Sequence, residues 1–162
     1  MITRPDISQA RMCKLLEQEL AVSQQLKQLL AAEQAAITDH DIPAFEEIIA
    51  SKQATLEHLT AHEKARLFLL QSNGIKHGPE GMKDYIDNGH DDGLVADLWQ
   101  QLLCIASDCR DHNRKNHQLV ELFSTHTRKA LCILRGENME QNVYGPAGDT
   151  SDRHENRPIA IA

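Results

Sequence analysis

The chain has 162 residues and a formal net charge of −7, from 17 Lys and Arg against 24 Asp and Glu. This length predicts one domain. The negative balance argues against nucleic acid as the main partner, because a phosphate backbone would repel the chain. Aromatic residues make up only 4% of the sequence, which disfavours β-sandwiches and barrels and favours an all-α fold.

The sequence carries no recognisable membrane or export signal. No apolar run approaches the ~20 residues that span a bilayer, and the N-terminus lacks a basic segment followed by an apolar stretch and a small-residue cleavage site. We therefore expect a cytoplasmic protein without direct membrane insertion. The four cysteines form no C-x-x-C pair, so we expect reduced thiols, with Cys109 and Cys132 packed as small hydrophobes.

The first predicted helix covers about residues 7–37. Apolar residues recur there every seven positions, at Leu15, Val22, Leu29 and Ala36. A second apolar set accompanies them: Met12, Leu16, Leu26, Leu30 and Ile37. This spacing is typical of an amphipathic helix with a nearly heptad seam.

The second predicted helix covers about residues 42–72. Pro43 suits a first helical turn, and Asn73-Gly74 supplies a C-terminal stop. Its apolar stripe admits Lys52, Glu63 and Arg66 along the seam. The short link to the first helix makes the two antiparallel neighbours.

A glycine-rich crossover, residues 72–93, separates the second helix from the third. Met82, Tyr85 and Ile86 predict a short helix within it. The third long helix is predicted over about residues 92–135, ends at Gly136 and is roughly 65 Å long.

These elements predict an antiparallel bundle of three long helices with coiled-coil-like packing. We assign the bundle to residues 1–136. Residues 137–162 are polar and contain Gly145, Pro146 and Gly148, so we expect an extended, flexible C-terminal tail.

The third helix is longer than the two helices that would cover it. A leftover apolar stripe that includes Val120, Phe123, Leu131 and Leu134 is therefore predicted to face water. Burying each such side chain is worth about 1.5 to 3 kcal/mol, so the tail, an oligomer or a partner helix is expected to cover it. Tyr144 in the polar tail has two interpretations, a binding role or a local cover over this stripe.

Metal and catalytic interpretations of the sequence are weak. His58 and His62 lie four residues apart, but two ligands do not make a site, and no Glu-x-x-His pair occurs. No phosphate loop or G-x-S-x-G elbow is present. We predict no enzyme activity, no catalytic residue, no metal and no cofactor.

Polar residues on the third helix have structural interpretations. Asp108 and Asp111 are flanked by Arg110 and Arg114, which predicts surface ion pairs at i,i+3. Asn116 and its neighbour at 113 lie on the seam side. They either fix the register as buried polar residues or are half-exposed where the bundle frays.

Three segments in the last third of the chain resemble the FlgN flagellar export chaperones. They are Asp111-His112-Asn113-Arg114-Lys115-Asn116, Ala130-Leu131-Cys132-Ile133-Leu134-Arg135 and Tyr144-Gly145-Pro146-Ala147-Gly148. The family pattern is Asn-x-x-Asn on the last helix, a Leu-rich helix end and a Tyr-Gly-x-x-Gly tail. The family usually has Gly after the second Asn, where this chain has His117.

The resemblance implies a cytoplasmic type III export chaperone that binds hook-filament junction proteins before secretion and delivers them to the export gate. It implies that the C-terminal segments of those proteins bind one stripe of the last helix, and that Tyr144 docks to the cytoplasmic domain of the gate. The stripe consists of Val120, Phe123, Thr127, Leu131 and Leu134.

Two alternatives use the same apolar stripe. A structural coiled-coil protein would bury it by self-association, and an adaptor would use it for another helical client. The sequence leaves open whether the free protein is a monomer or a weak homodimer.

Overall fold

In the computed structural model, which describes residues 5–75, 80–87 and 93–136, the chain forms four α-helices. They are α1 (Pro5–Asp39), α2 (Ile42–Ser72), α3 (Gly81–Asp87) and α4 (Leu94–Leu134). The prediction of an all-α fold with three long helices and a short helix in the crossover is confirmed.

The helix ends follow local sequence. The Asp41 carboxylate accepts a hydrogen bond from the Ala44 amide at 3.1 Å and so caps α2. Gly74 ends α2 at φ +77°, a conformation that glycine adopts without a Cβ penalty. α4 begins at Leu94 rather than near residue 92, because Gly93 at φ +99° cannot continue a right-handed helix.

The chain divides into two compact units, residues 1–122 and residues 123–162. Of the second unit, residues 123–136 are described. The predicted tail, 137–162, lies outside the described residues. The division into a bundle of residues 1–136 and a tail therefore stays a prediction.

The core of the first unit is closed at one end by α3. Met82 and Tyr85 on this short helix are buried and pack with apolar side chains of α1, α2 and α4. That cluster comprises Met12, Cys13, Leu16, Leu69, Leu70, Met82, Tyr85, Val95, Leu98 and Leu102. The crossover thus contributes two large side chains to the core.

The buried face of α1 is a heptad seam that includes polar residues. Its buried members alternate at spacings of four and three: Met12, Leu16, Glu19, Ser23, Leu26, Leu30, Glu33 and Ile37. Three members of the predicted seven-residue repeat, Leu15, Val22 and Leu29, are half-buried beside this seam. The seam therefore follows the accompanying apolar set, and Glu19 and Glu33 occupy buried positions between its apolar members.

Among the helices within the described ranges, none combines the length and the apolar character needed to cross a membrane.

Candidate functional site

A first polar layer, formed by Glu19, Arg66 and Trp99, joins the three long helices. The Arg66 guanidinium on α2 donates to both carboxylate oxygens of Glu19 on α1, from Nε at 2.8 Å and from Nη2 at 3.2 Å. The guanidinium carbon also lies 4.8 Å from the centroid of the Trp99 ring on α4. Both charged side chains are buried, so their mutual hydrogen bonds and the aromatic face replace the lost water.

A second polar layer, formed by Glu33, Lys52, Asn113 and Asn116, joins the same helices. Lys52 Nζ on α2 donates to both carboxylate oxygens of Glu33 and to Asn113 Oδ1, each at 3.0 Å. Asn116 Nδ2 donates to the Leu30 carbonyl and to Glu33 Oε2, each at 2.8 Å. One carboxylate on α1 therefore receives donors from both α2 and α4.

The two asparagines have different roles in the second layer. Asn116 is buried and hydrogen-bonded to α1, as expected for a buried polar residue that fixes register. Asn113 is exposed and contributes an acceptor to Lys52. Burial thus agrees with the register interpretation at Asn116, whereas Asn113 is exposed but still hydrogen-bonded to α2 through Lys52.

Glu19 and Glu33 were not among the residues predicted to be important, although a signal for them exists. Fourteen residues, two heptads, separate Glu19 from Glu33, and fourteen separate Lys52 from Arg66. Two acids on one helix and two bases on its antiparallel neighbour at equal spacing can pair in register. A search for apolar repeats alone overlooks this complementarity.

The predicted ion pair of Asp108 along α4 is wrong, because Asp108 pairs with another helix. Asp111 pairs with Arg114 at 2.9 Å along α4, as predicted. Asp108 instead accepts a hydrogen bond from Lys27 Nζ on α1 at 2.6 Å, because this position of α4 faces α1. That hydrogen bond and the charge of Lys27 lower the pKa of Asp108, and the same contact raises the pKa of Lys27.

The cysteines are free thiols in different environments. Cys109 is buried, and its Sγ donates to the Ser23 carbonyl at 3.7 Å. Burial raises the pKa of this thiol, which favours its neutral form. Cys132 is half-buried.

The two histidines of α2 that were considered as metal ligands, His58 and His62, differ in exposure. His58 is exposed and His62 is half-buried. Within the described part of the chain, no group of three or more potential metal ligands occurs. His117 has an exposed side chain whose Nε2 lies 3.4 Å from Glu121 Oε1 on the same helix.

The predicted client-binding residues lie along the C-terminal part of α4. Leu131 and Leu134 are 47% and 83% exposed, and Val120, the last of the set within the first unit, is 42% exposed. Phe123 is half-buried and Thr127 is exposed.

Two further apolar residues in this part of α4 are exposed but were not predicted. Leu122 is 51% exposed in the first unit, and Ile133 is 70% exposed in the second. No described residue of the second unit is fully buried. Tyr144 lies outside the described residues.

Comparisons with known proteins agree with this architecture. Residues 1–152 match the model of the FlgN protein family. No curated protein matches the chain. A crystal structure of a flagella synthesis protein FlgN from Pseudomonas aeruginosa is similar in fold, with a TM-score of 0.60 and 22% sequence identity over 78% of this chain and 95% of that one.

The match to the family model covers far more than half of the sequence and includes all four helices. This chain therefore belongs to the FlgN protein family, a chaperone-type family of flagellum biogenesis.

Proposed function

We propose that this chain is a cytoplasmic export chaperone that binds the C-terminal segments of hook-filament junction proteins and delivers them to the flagellar export gate. The proposal extends the family assignment to a client, a binding surface and a destination. The observation that supports it best is the exposure to water of two large apolar side chains on the last turns of α4, Leu131 at 47% and Leu134 at 83%.

The proposed client-binding stripe consists of Val120, Phe123, Thr127, Leu131 and Leu134. Its members recur at spacings of three and four along α4, which places them on one helical face. An amphipathic client helix that covers such a stripe removes apolar surface from water, at about 25 cal/mol per Å². Disordered client segments would fold on binding, and their ordering would offset part of this gain.

The client-binding proposal can be tested with the double variant Phe123→Asp and Leu131→Asp. We expect it to lose binding of a junction protein's C-terminal segment in calorimetry, while its helical circular dichroism stays unchanged. Lys129→Asp is the matched control, because it makes the same change in net charge at an exposed position on the opposite side of the helix. Equal client affinity of the double variant and the control would refute the stripe assignment.

The docking role proposed for Tyr144 needs a separate test. Tyr144→Ala should bind the client segment normally but lose capture by the cytoplasmic domain of the export gate. Tyr144→Phe separates the aromatic ring from the hydroxyl. Normal gate capture by Tyr144→Ala would show that docking uses other residues.

Self-association through the same stripe is the competing use of the exposed apolar surface. Light scattering over a concentration series, with and without the client segment, distinguishes the two. A chaperone should form a complex with the client at a defined ratio. A tight oligomer that the client does not dissociate would favour a structural coiled-coil protein.

A further inference from the structure

The first unit contains a groove of about 420 Å³ between α2 and α4, with α1 as its floor. Arg66 and Trp99 of the first polar layer border one end. The hydrogen bond from Lys52 to Asn113 in the second layer joins α2 to α4 beyond the other end. The groove therefore occupies the interval between the two polar layers.

The groove exists because small side chains stand where a packed bundle would place large ones. Ser23 on the floor, Thr60 on α2 and Ala106 on α4 all line it. The polar layers hold α2 and α4 against α1 at both ends of the interval, so the two helices cannot close over it. A void of this size in a water-accessible position is large enough to receive several apolar side chains.

Large apolar side chains beside the groove remain in contact with water. Leu56 on α2 is 39% exposed and Leu103 on α4 is 44% exposed, and both line the groove. Buried Leu26 and Leu102 lie deeper in it. A concave apolar surface with exposed leucines at its mouth is typical of an interaction site.

The two ends of the groove carry charges of opposite sign. Glu19 and Arg66 neutralise each other in the first polar layer, which leaves Glu63 and Arg110 as the charged lining residues that face water. Glu63 lies one helical turn from Arg66, whereas Arg110 lies one turn from Asn113. The groove is therefore acidic near the first polar layer and basic near the second.

We propose that this groove binds an amphipathic helix of a partner protein, independently of the client-binding stripe on α4. The interval from Leu102 to Arg110 spans about 12 Å along the helix axis, which matches apolar side chains at i, i+4 and i+7. The occupant carries an acidic residue beside Arg110 and a basic residue beside Glu63. A helix fits this surface because it satisfies its own backbone hydrogen bonds, whereas the flanking helices offer an extended peptide no free backbone partners.

Trp99 provides a direct reporter, because it is the sole tryptophan of the chain and lines the groove. The probe is a synthetic helical peptide of about four turns with leucines at i, i+4 and i+7, a glutamate in its first turn and a lysine in its last turn. This order of charges also suits the dipole of the peptide helix. Titration into the full-length protein should give a saturable shift in tryptophan fluorescence.

Filling the groove tests whether the peptide occupies it. Ala106→Leu should abolish the fluorescence titration, and Thr60→Leu should do so from the α2 side. Ala130→Leu is the matched control, because it adds the same atoms at an exposed position of α4, and it should bind normally. Helical circular dichroism and the denaturation midpoint establish that each variant is folded. Unchanged peptide affinity in a folded Ala106→Leu variant would overturn the proposal.

Charge reversal tests the direction of binding. The double variant Glu63→Lys and Arg110→Glu should bind the probe about threefold to tenfold more weakly, as two exposed ion pairs become repulsive, and should prefer a peptide with the reversed charge order. Equal affinity of the double variant for both charge orders would overturn the proposed charge pattern of the bound helix.

The groove should act independently of the client-binding stripe. The double variant Phe123→Asp and Leu131→Asp should therefore leave the fluorescence titration unchanged, and a loss of peptide binding in this variant would contradict two separate sites. Self-association that Ala106→Leu abolishes would identify the occupant as a second copy and overturn the proposal as well.

Discussion

Two stretches of α4 differ in whether their apolar side chains are buried. Between residues 94 and 122 the helix buries side chains against its neighbours, with Val95, Leu98, Leu102, Cys109 and Asn116 all buried. From residue 123 to residue 134, the large apolar residues are Phe123 and, in the last four positions, Leu131, Ile133 and Leu134, and no side chain is fully buried. Amphipathic periodicity thus predicts a helix with an apolar face, whereas the neighbouring elements decide whether that face becomes core or surface.

The two stretches also differ in their polar contacts. The first contributes Trp99, Asn113 and Asn116 to layers built on buried carboxylates of α1. Such layers tolerate few alternative registers, because a shift of one turn would leave a buried charge without its partner.

The largest effect is expected from breaking the first polar layer. Arg66→Met should lower the free energy of unfolding by about 3 to 5 kcal/mol, because Glu19 would remain buried without its partner. Adding Glu19→Met should recover most of the loss, since two apolar side chains replace the pair. Urea denaturation measures both values, and a double variant as unstable as the single one would contradict the explanation.

A matched leucine pair tests the burial contrast along α4 itself. Leu98 is 8% exposed and Leu131 is 47% exposed. Leu98→Ala should cost about 2 to 5 kcal/mol in unfolding free energy, and Leu131→Ala less than about 1 kcal/mol. Similar losses for the two variants would show that the end of α4 is packed as firmly as its beginning.

Substitution of the two asparagines, Asn113 and Asn116, should lower the free energy of unfolding by different amounts in urea denaturation. Asn116→Ala removes the α4 donor from the Leu30 carbonyl and from Glu33, which keeps only its hydrogen bonds from Lys52, and should cost about 1 to 3 kcal/mol. Asn113→Ala should cost about 1 kcal/mol or less, because its position is exposed. A larger loss at residue 113 than at residue 116 would reverse the assignment of the buried role.

The smallest effect concerns the pair of Lys27 and Asp108, whose side chains are partly exposed. The pKa of Asp108 is lowered by Lys27, so its stabilisation is present above the unfolded pKa and is lost as pH falls through the folded pKa. The pKa of Lys27 is raised, so that contribution is lost as pH rises through the lysine range. Asp108→Asn should therefore flatten both limbs of a plot of denaturation midpoint against pH.

High salt should reduce the difference between the Asp108→Asn variant and the parent, because solvent ions screen an exposed pair. A salt-independent difference would instead indicate that residue 108 acts through packing. Thermal melts at low and high ionic strength provide this comparison.

Much of the fold follows from local sequence. The stop at Asn73-Gly74, the cap at Asp41 and the short helix around Met82 and Tyr85 depend on residues within a few positions. Contacts between helices do not follow from local sequence. The sequence predicts that Asp108 pairs along α4, whereas in the structure it pairs with Lys27 of α1. Exposure of Leu131 and Leu134 agrees with the predicted stripe, but which partner covers them stays a proposal.

The sequence by itself determined the number, type and approximate limits of the helices, because caps, glycine stops and heptad spacing act over short range. It also carried the motifs that resemble the FlgN chaperones. Only the tertiary structure decided that Glu19 and Glu33 belong to the seam and that a groove lies between their layers. A buried charge is stable only where a partner from another helix reaches it, and that depends on the register of packed helices.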